Sequence, residues 1–566
     1  MLHRQIGVTQ LRKYVASLSL LFGVGCISVL VPARLYPQST VSSKAGPIAT
    51  TEAGQLVGVT LSDDSVLFQD IPYAEPPVGN LRWRDPQPPA HWAGMRDATK
   101  APPACMQGDW KWNHQAAKDG NEDCLYLNIA TPSWPVAKKL PVMFWIHGGA
   151  NYNGSGRLNG VQTLTRHGVI LVSINYRLGV FGFLSHPELR SESSHHSSGN
   201  YALLDQIAAL RWVHENIAAF GGDPSNVTIF GQSAGAIDVG MLLVSPLSKG
   251  LFARAIDESG GPISPQPLAL TPLKAEGIGS AFAEFAGEGK AGDAVARLRS
   301  MSAEEILDAA NRFTAPDAEG VPTRPFPSLS VDGWVLPAQP AALLLHGESH
   351  RVPLLIGSNV QEFSFAHTSV ISNSVVEPAD QVRSRIREDF GQEASEAITL
   401  YGLGHSDAPA ADPLLGTAGT QLMTDTYFRC PATITSEWLS AQGGSVWQYQ
   451  FERPLPGTGA TSTRHSGELP YVFGEAQLPG NRRMGAAFGP TDASISELMQ
   501  TYWTNFAKTG DPNGQGVPAW PQVEPNSPEL VRFTSDGPVL AKNQRLPLSR
   551  LYEENLKAQL AKTAVR

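Results

Sequence analysis

Positive charge is in short supply in this sequence: 43 Lys and Arg stand against 52 Asp and Glu, a formal net charge of −9. A nucleic-acid partner demands clustered Lys and Arg, so that class is set aside. Cysteine is scarcer still, with four residues in 566, far too few for a scaffold built on disulfides. The chain has no H-E-x-x-H, no G-x-x-x-x-G-K-[ST] and no dinucleotide-binding fingerprint set between a strand and a helix. Neither a metal site nor a cofactor is therefore expected. Internal repeats are absent, and only one apolar run is long enough to concern a membrane.

That run is N-terminal. His3, Arg4, Arg12 and Lys13 precede a charge-free stretch from Tyr14 to Ala33, and Arg34 follows. The pattern reads as an export signal over residues 1–33, cleaved after Val31-Pro32-Ala33 or retained as an anchor. Residues 34–50, rich in Ser, Pro, Ala and Thr, read as a linker. Export places the chain in the periplasm or outside the cell. There Cys105 and Cys124 lie close enough to staple one loop in an oxidising compartment. Cys26 leaves with the signal, and Cys430 is expected to be a small buried hydrophobe.

What the sequence does have, from about residue 51 to 552, is alternation of buried strands with helices. Val142–Ile146, Val169–Ile174, Val227–Phe230 and Pro353–Gly357 are short apolar, β-rich runs. Leu203–Ala218 carries apolar residues at helical spacing. This predicts an α/β architecture with a mostly parallel central sheet covered by helices on both faces. Residues 270–350 and 370–440, richer in Ala and charge, read as helical insertions covering the carboxyl edge of that sheet, where a pocket forms. Residues 553–566 read as a C-terminal tail.

The decisive segment is Phe220–Gly235, FGGDPSNVTIFGQSAG. A buried strand runs into Gly231-Gln232-Ser233-Ala234-Gly235, and a helical pattern follows at once. That is the context of a nucleophile elbow, in which a sharp turn lifts one serine above the sheet at a helix N-terminus. Glycine on both sides removes the Cβ atoms that such a bend would drive together. Ser233 is the candidate nucleophile. Strand Val142–Ile146 ends in His147-Gly148-Gly149-Ala150, a small-residue loop able to turn backbone N–H groups inward.

These residues resemble the type-B carboxylesterases, a family that includes bacterial para-nitrobenzyl esterases and the cholinesterases. The resemblance also rests on EDCLYLNIATP at Glu122–Pro132, FQDIPYAEPPVGNLRWRDP at Phe68–Pro86, NYRLGVFGFL at Asn175–Leu184 and NFAKTGDPN at Asn505–Asn513. It implies the α/β-hydrolase fold and a carboxylic ester hydrolase working through a Ser-His-Glu triad and an acyl-enzyme. By similarity, the N–H groups of Gly149, Ala150 and Ala234 form the oxyanion hole, although the family more often has Gly where Ala150 stands. HSGELPYVFG at His465–Gly474 resembles the family segment that carries the catalytic histidine, so His465 is the candidate base. His147 is expected to shape the oxyanion loop, His214 to lie on a helix, and His195-His196 to be solvated.

Two departures leave the acid open. The family pattern Gly-x-x-x-Asp-Glu-Gly is replaced here by a strand leading into Ser358-Asn359-Val360-Gln361-Glu362-Phe363. Glu362 keeps the position that follows a strand. Asp238 stands where the family usually has a serine near the triad acid, which would set a second carboxylate beside Glu362 and raise the pKa of one of them. Either Glu362 supports His465 with Asp238 bonded to it, or Asp238 is the supporting acid. A small ester is the expected partner; an acyltransferase on the same scaffold and a non-catalytic binding module are the alternatives.

Overall fold

The computed structural model describes residues 46–564. Short stretches at 158–161, 264–268, 288–292, 317–321, 364–376, 406–408, 475–476, 479–481, 484–486 and 526–528 fall outside the description. All described residues belong to one unit, Val41–Arg566. The expected signal at 1–33 lies outside the described residues.

Eleven strands form the main sheet: β1 (Val59–Thr60), β2 (Val66–Pro72), β3 (Tyr126–Thr131), β4 (Leu140–Ile146), β5 (Ile170–Ile174), β6 (Gly222–Gln232), β7 (Arg254–Glu258), β8 (Leu354–Asn359), β9 (Val446–Phe451), β10 (Glu529–Thr534) and β11 (Gly537–Lys542). Their spatial order is β1-β2-β3-β5-β4-β6-β7-β8-β9-β10-β11. From β5 to β10 every neighbouring pair is parallel, and antiparallel pairing is confined to the two edges. Residues that alternate along β4 enter different cores, as a strand's two-residue period requires. Val142, Phe144 and Ile146 join the cluster that includes Trp212, Val213 and Leu242, whereas Met143 and Trp145 join the one that includes Met499, Trp503 and Phe506. Helices α1 (Tyr201–Asn216) and α2 (Ala234–Val244) thus cover one face, and α3 (Pro490–Thr509) covers the other.

Register brings the functional ends together. Ile146 on β4 pairs with Ile174 on β5 and with Gly231 on β6, while Gln232 pairs with Glu258 on β7. The loops leaving these strands therefore emerge side by side at the carboxyl edge, the usual place for a site in such a sheet. Arg177, just past β5, is fixed by a two-point ion pair: its Nη2 and Nε donate to Asp205 on α1 at 2.6 and 2.8 Å. Both side chains are buried.

The two segments expected to be insertions are largely helical. Helices at Pro272–Ala286, Ala294–Ser300 and Ala303–Arg312 build a core around Phe282, Leu298 and Phe326. Those at Ala379–Phe390, Ala394–Leu400, Ala418–Thr424 and Cys430–Ala441 build another, around Ile386, Leu422 and Ile434. Two expected boundaries move. Ile48–Thr50 already pairs with Gln55–Val57, so the fold begins inside the stretch read as a linker. The expected tail belongs to α4 (Leu546–Ala564), whose Leu548, Tyr552, Leu556 and Leu560 recur every fourth residue and are buried against the second insertion. Cys105 and Cys124 are joined by a disulfide, and Cys430 is a buried free thiol, its pKa pushed up to about 12 by burial.

Candidate active site

Ser233 sits between the last residue of β6 and the first of α2, with φ 57° and ψ −125°. Such a backbone is costly for a residue with a Cβ, on the order of 1–3 kcal/mol, and persists only where its surroundings impose it. A Cβ on Gly231 would lie 2.5 Å from the carbonyl of Gly235, and one on Gly235 would lie 2.1 Å from the carbonyl oxygen of Ile146. Only glycine at both places lets α2 start this close to β4 and β6. The Ser233 N–H donates to the Glu258 carbonyl at 2.9 Å, tying the bend to β7 as well.

The structure brings Ser233, His465 and Glu362 together. His465 Nε2 is 2.8 Å from Ser233 Oγ, and His465 Nδ1 is 2.7 Å from Glu362 Oε2. With the carboxylate at Nδ1, that nitrogen carries the ring proton and Nε2 is left to accept one. Glu362 Oε1 accepts from Ser259 Oγ and from the backbone N–H of Asn359, both at 2.7 Å. Thr424 Oγ1 takes the Glu362 N–H at 3.0 Å. The Glu362 carboxylate is wholly buried, while the His465 ring keeps a 15% exposed edge and packs under Phe363 and Phe428.

Asp238 is not beside Glu362. Its Oδ1 accepts from Asn151 Nδ2 at 3.0 Å and its Oδ2 from Gln206 Nε2 at 2.6 Å. Lying in the second turn of α2, it faces the β4 loop and α1, whereas Glu362 reaches the histidine from β8. The hydroxyl on the acid comes instead from Ser259, and the second carboxyl group in that neighbourhood is Glu468, bonded to the side-chain amide of Asn359. Burial first, then the nearby Glu362 and Glu258, hold the Glu468 carboxyl well above the carboxylate range. Burial also pushes Glu258 up to about 8, although Trp503 Nε1 donates to it at 2.7 Å, and pushes Asp238 up to about 7.

The loop after β4 packs against the elbow. A Cβ on Gly148 would lie 2.5 Å from the Gln232 carbonyl oxygen. Gly149 has φ 114°, and Ala150 and Asn151 both have φ 55°. Among the described residues, no acceptor takes the N–H groups of Gly149, Ala150 or Ala234, and Ala234 opens a helix whose first N–H groups have no partner within it. His147 stacks on Tyr176 with centroids 4.4 Å apart, and burial lowers its pKa to about 4, so the ring is neutral. Of the other histidines singled out, His214 lies on α1, and His195, exposed, stacks on Trp334.

Ser259, Asn359, Asn151 and Gln206 carry no motif that marks them in the sequence. Asp257, Glu258 and Ser259 left one trace, a run of acidic and polar residues at the end of the short strand Arg254–Glu258, just before Gly260-Gly261.

The sequence matches the carboxylesterase family over residues 45–548. The chain belongs to that family. It is 33% identical over 533 residues to the fumonisin B1 esterase of Sphingopyxis macrogoltabida, covering 92% of this chain and 93% of that one. It is 36% identical over 502 residues to the para-nitrobenzyl esterase of Bacillus subtilis (strain 168), covering 86% and 95%. Solved structures of a para-nitrobenzyl esterase and of a Geobacillus stearothermophilus carboxylesterase superpose with TM-scores of 0.74 and 0.75 at 32% and 35% identity, each covering 89% of this chain and 99% of the other. The fold is the α/β-hydrolase fold, and the chain is a carboxylic ester hydrolase. Among the described residues of this esterase, no helix is long and apolar enough to cross a membrane.

The buried carboxyl groups give the esterase a pH-dependent stability. For Glu258 the folded pKa lies above the unfolded one, so its contribution is whole below about pH 4.5 and is lost as pH rises through about 8. Glu258→Gln keeps the oxygen that accepts from Trp503. Its melting temperature, followed by differential scanning fluorimetry, should match the parent at low pH and exceed it by a few degrees above pH 8.

Proposed function

We propose that this carboxylesterase works by two-step acyl transfer with Ser233 as nucleophile, His465 as general base and acid, and Glu362 as the group that orients the imidazole. The observation that carries the proposal is the unbroken chain Ser233 Oγ, His465 Nε2, His465 Nδ1, Glu362 Oε2, with contacts of 2.8 and 2.7 Å. As Oγ attacks the ester carbonyl, its proton passes to Nε2, and the imidazolium is stabilised by the buried carboxylate. The N–H groups of Gly149, Ala150 and Ala234 take the developing oxyanion, each such donor being worth a factor of about 10² to 10³ in kcat. His465 then protonates the departing alcohol, and a water molecule activated by the same nitrogen releases the acid.

Small esters are the proposed substrates. One relative is named for fumonisin B1 and another for a para-nitrobenzyl ester. Export is proposed from the N-terminal run and is consistent with the Cys105–Cys124 disulfide, a bond of oxidising compartments. The intact mass of the chain recovered from periplasm or medium checks it: a start at Arg34 is expected, and a chain retained whole in the cytoplasm contradicts it.

Hydrolysis of p-nitrophenyl acetate tests the mechanism. Ser233→Ala and His465→Ala should each lower kcat by about 10⁵- to 10⁶-fold, and Glu362→Gln by about 10³- to 10⁴-fold. A Glu362→Gln enzyme of near-parental kcat, beside an inactive Asp238→Asn enzyme, would transfer the acid's role to Asp238. Addition of an alcohol acceptor should leave the free acid as the main product; an ester as the main product would instead mark an acyltransferase.

A further inference from the structure

Asp238 has no part in the triad, yet it is wholly buried and both its oxygens are engaged. One partner, Asn151, belongs to the loop that carries Gly149 and Ala150. We propose that Asp238 is a positioning residue for the oxyanion loop, holding that loop through the side chain of Asn151. The proposal rests on the reading of Gly149 and Ala150 as oxyanion donors.

The loop needs such a hold. Gly149, Ala150 and Asn151 run consecutively through positive φ, and alanine has neither the freedom of glycine nor a polar side chain to stabilise the left-handed conformation. Whatever keeps Ala150 there must come from its neighbours. Asn151 is held on three sides. Its Nδ2 donates to Asp238 at 3.0 Å, its Oδ1 lies 2.9 Å from the Tyr176 hydroxyl, and its carbonyl accepts from the Gly179 N–H at 2.7 Å. The same Tyr176 hydroxyl lies 2.6 Å from the His147 carbonyl at the start of the loop. Tyr176 has one proton to share between Asn151 Oδ1 and the His147 carbonyl, so the direct tie from the turn to α2, the helix that Ser233 begins, is the Asn151–Asp238 hydrogen bond. The donors and the nucleophile are referred to a single rigid element, so their separation is set by packing.

The direction of the Asn151 amide matters. Rotating it by half a turn would aim its oxygen at Asp238 and its nitrogen at Tyr176, exchanging a donor–acceptor pair for two opposed oxygens. In its ionised form Asp238 therefore favours the observed orientation. Gln206 differs, because its Oε1 has no hydrogen-bond partner among the described residues. Rotated by half a turn, its amide would present Oε1 to position 238 as an acceptor. An amide in place of the carboxylate can then keep its oxygen on Asn151 while its nitrogen donates to Gln206, whereas a methyl group loses both contacts.

The variants Asp238→Ala, Asn151→Ala, the pair combined, and Asp238→Asn, assayed on p-nitrophenyl acetate beside Ser233→Ala, test the proposal. Asp238→Ala and Asn151→Ala should each lower kcat by about 10- to 100-fold, less than deletion of a donor outright, with KM within about threefold of the parent. Because both act through one contact, the double variant should be no slower than the slower single one. Asp238→Asn should restore kcat to within about threefold of the parent. The proposal is overturned if Asp238→Ala keeps its kcat within about twofold while Ser233→Ala is inactive, an outcome that leaves the mechanism standing. It is also overturned if the two single losses multiply in the double variant, or if the loss falls on KM alone. If Asp238→Ala does not fold, the Asn151→Ala result decides by the same criteria. Hydrolysis that survives in Ser233→Ala would remove the reading on which the proposal rests.

Discussion

The left-handed bend at Ser233 is the constraint to which the rest of the site conforms. A serine held at φ 57° cannot relax into the strand before it or the helix after it, so it must stand apart from both. The bend exists because three strands crowd it: β6 delivers it, the Ile146 carbonyl at the end of β4 leaves no room for a Cβ at Gly235, and the Glu258 carbonyl on β7 takes the Ser233 N–H. Parallel register is what lets three strands end at one level. Ile146, Gly231 and Glu258 come from chain segments far apart, and no local sequence signal could align them.

The same edge gathers the remaining parts. Glu362 and Ser233 reach His465 from positions 103 and 232 residues away, and each arrives from a different loop. Beneath them lie buried acidic side chains: Asp257, Glu258 and Glu468 are all inaccessible, and burial raises the pKa of each. Burying them costs stability near neutral pH. The esterase tolerates that cost in the region where its polar groups are densest, as expected where function rather than packing dictates residue type.

Much of this was legible in the chain. The elbow was legible because its chemistry is local: glycines on either side of the serine, a buried strand before and a helix after. Four of the parallel strands, β4, β5, β6 and β8, were legible because their runs are mostly apolar, whereas β7 between β6 and β8 was not, since Arg254, Asp257 and Glu258 leave it only two apolar residues. The position of Asp238 was not. Sequence marks it as a departure from the family, but whether a carboxylate on the second turn of α2 faces β8 or the loop after β4 depends on how three elements pack. Ser259 and Asn359 were missed for the same reason, since Ser and Asn are common at strand ends. The C-terminal boundary is a different case. The fourfold spacing of Leu548, Tyr552, Leu556 and Leu560 was visible and called for a helix rather than a tail.

The account depends on Ser233 forming a covalent acyl-enzyme. Labelling with a fluorophosphonate followed by peptide mass spectrometry addresses this directly, because phosphonylation needs an activated nucleophile with oxyanion donors beside it. The account predicts that one equivalent of label abolishes ester hydrolysis and that the added mass lies on the peptide containing Ser233. Full labelling with hydrolysis unimpaired, or label found on a different residue, would contradict it.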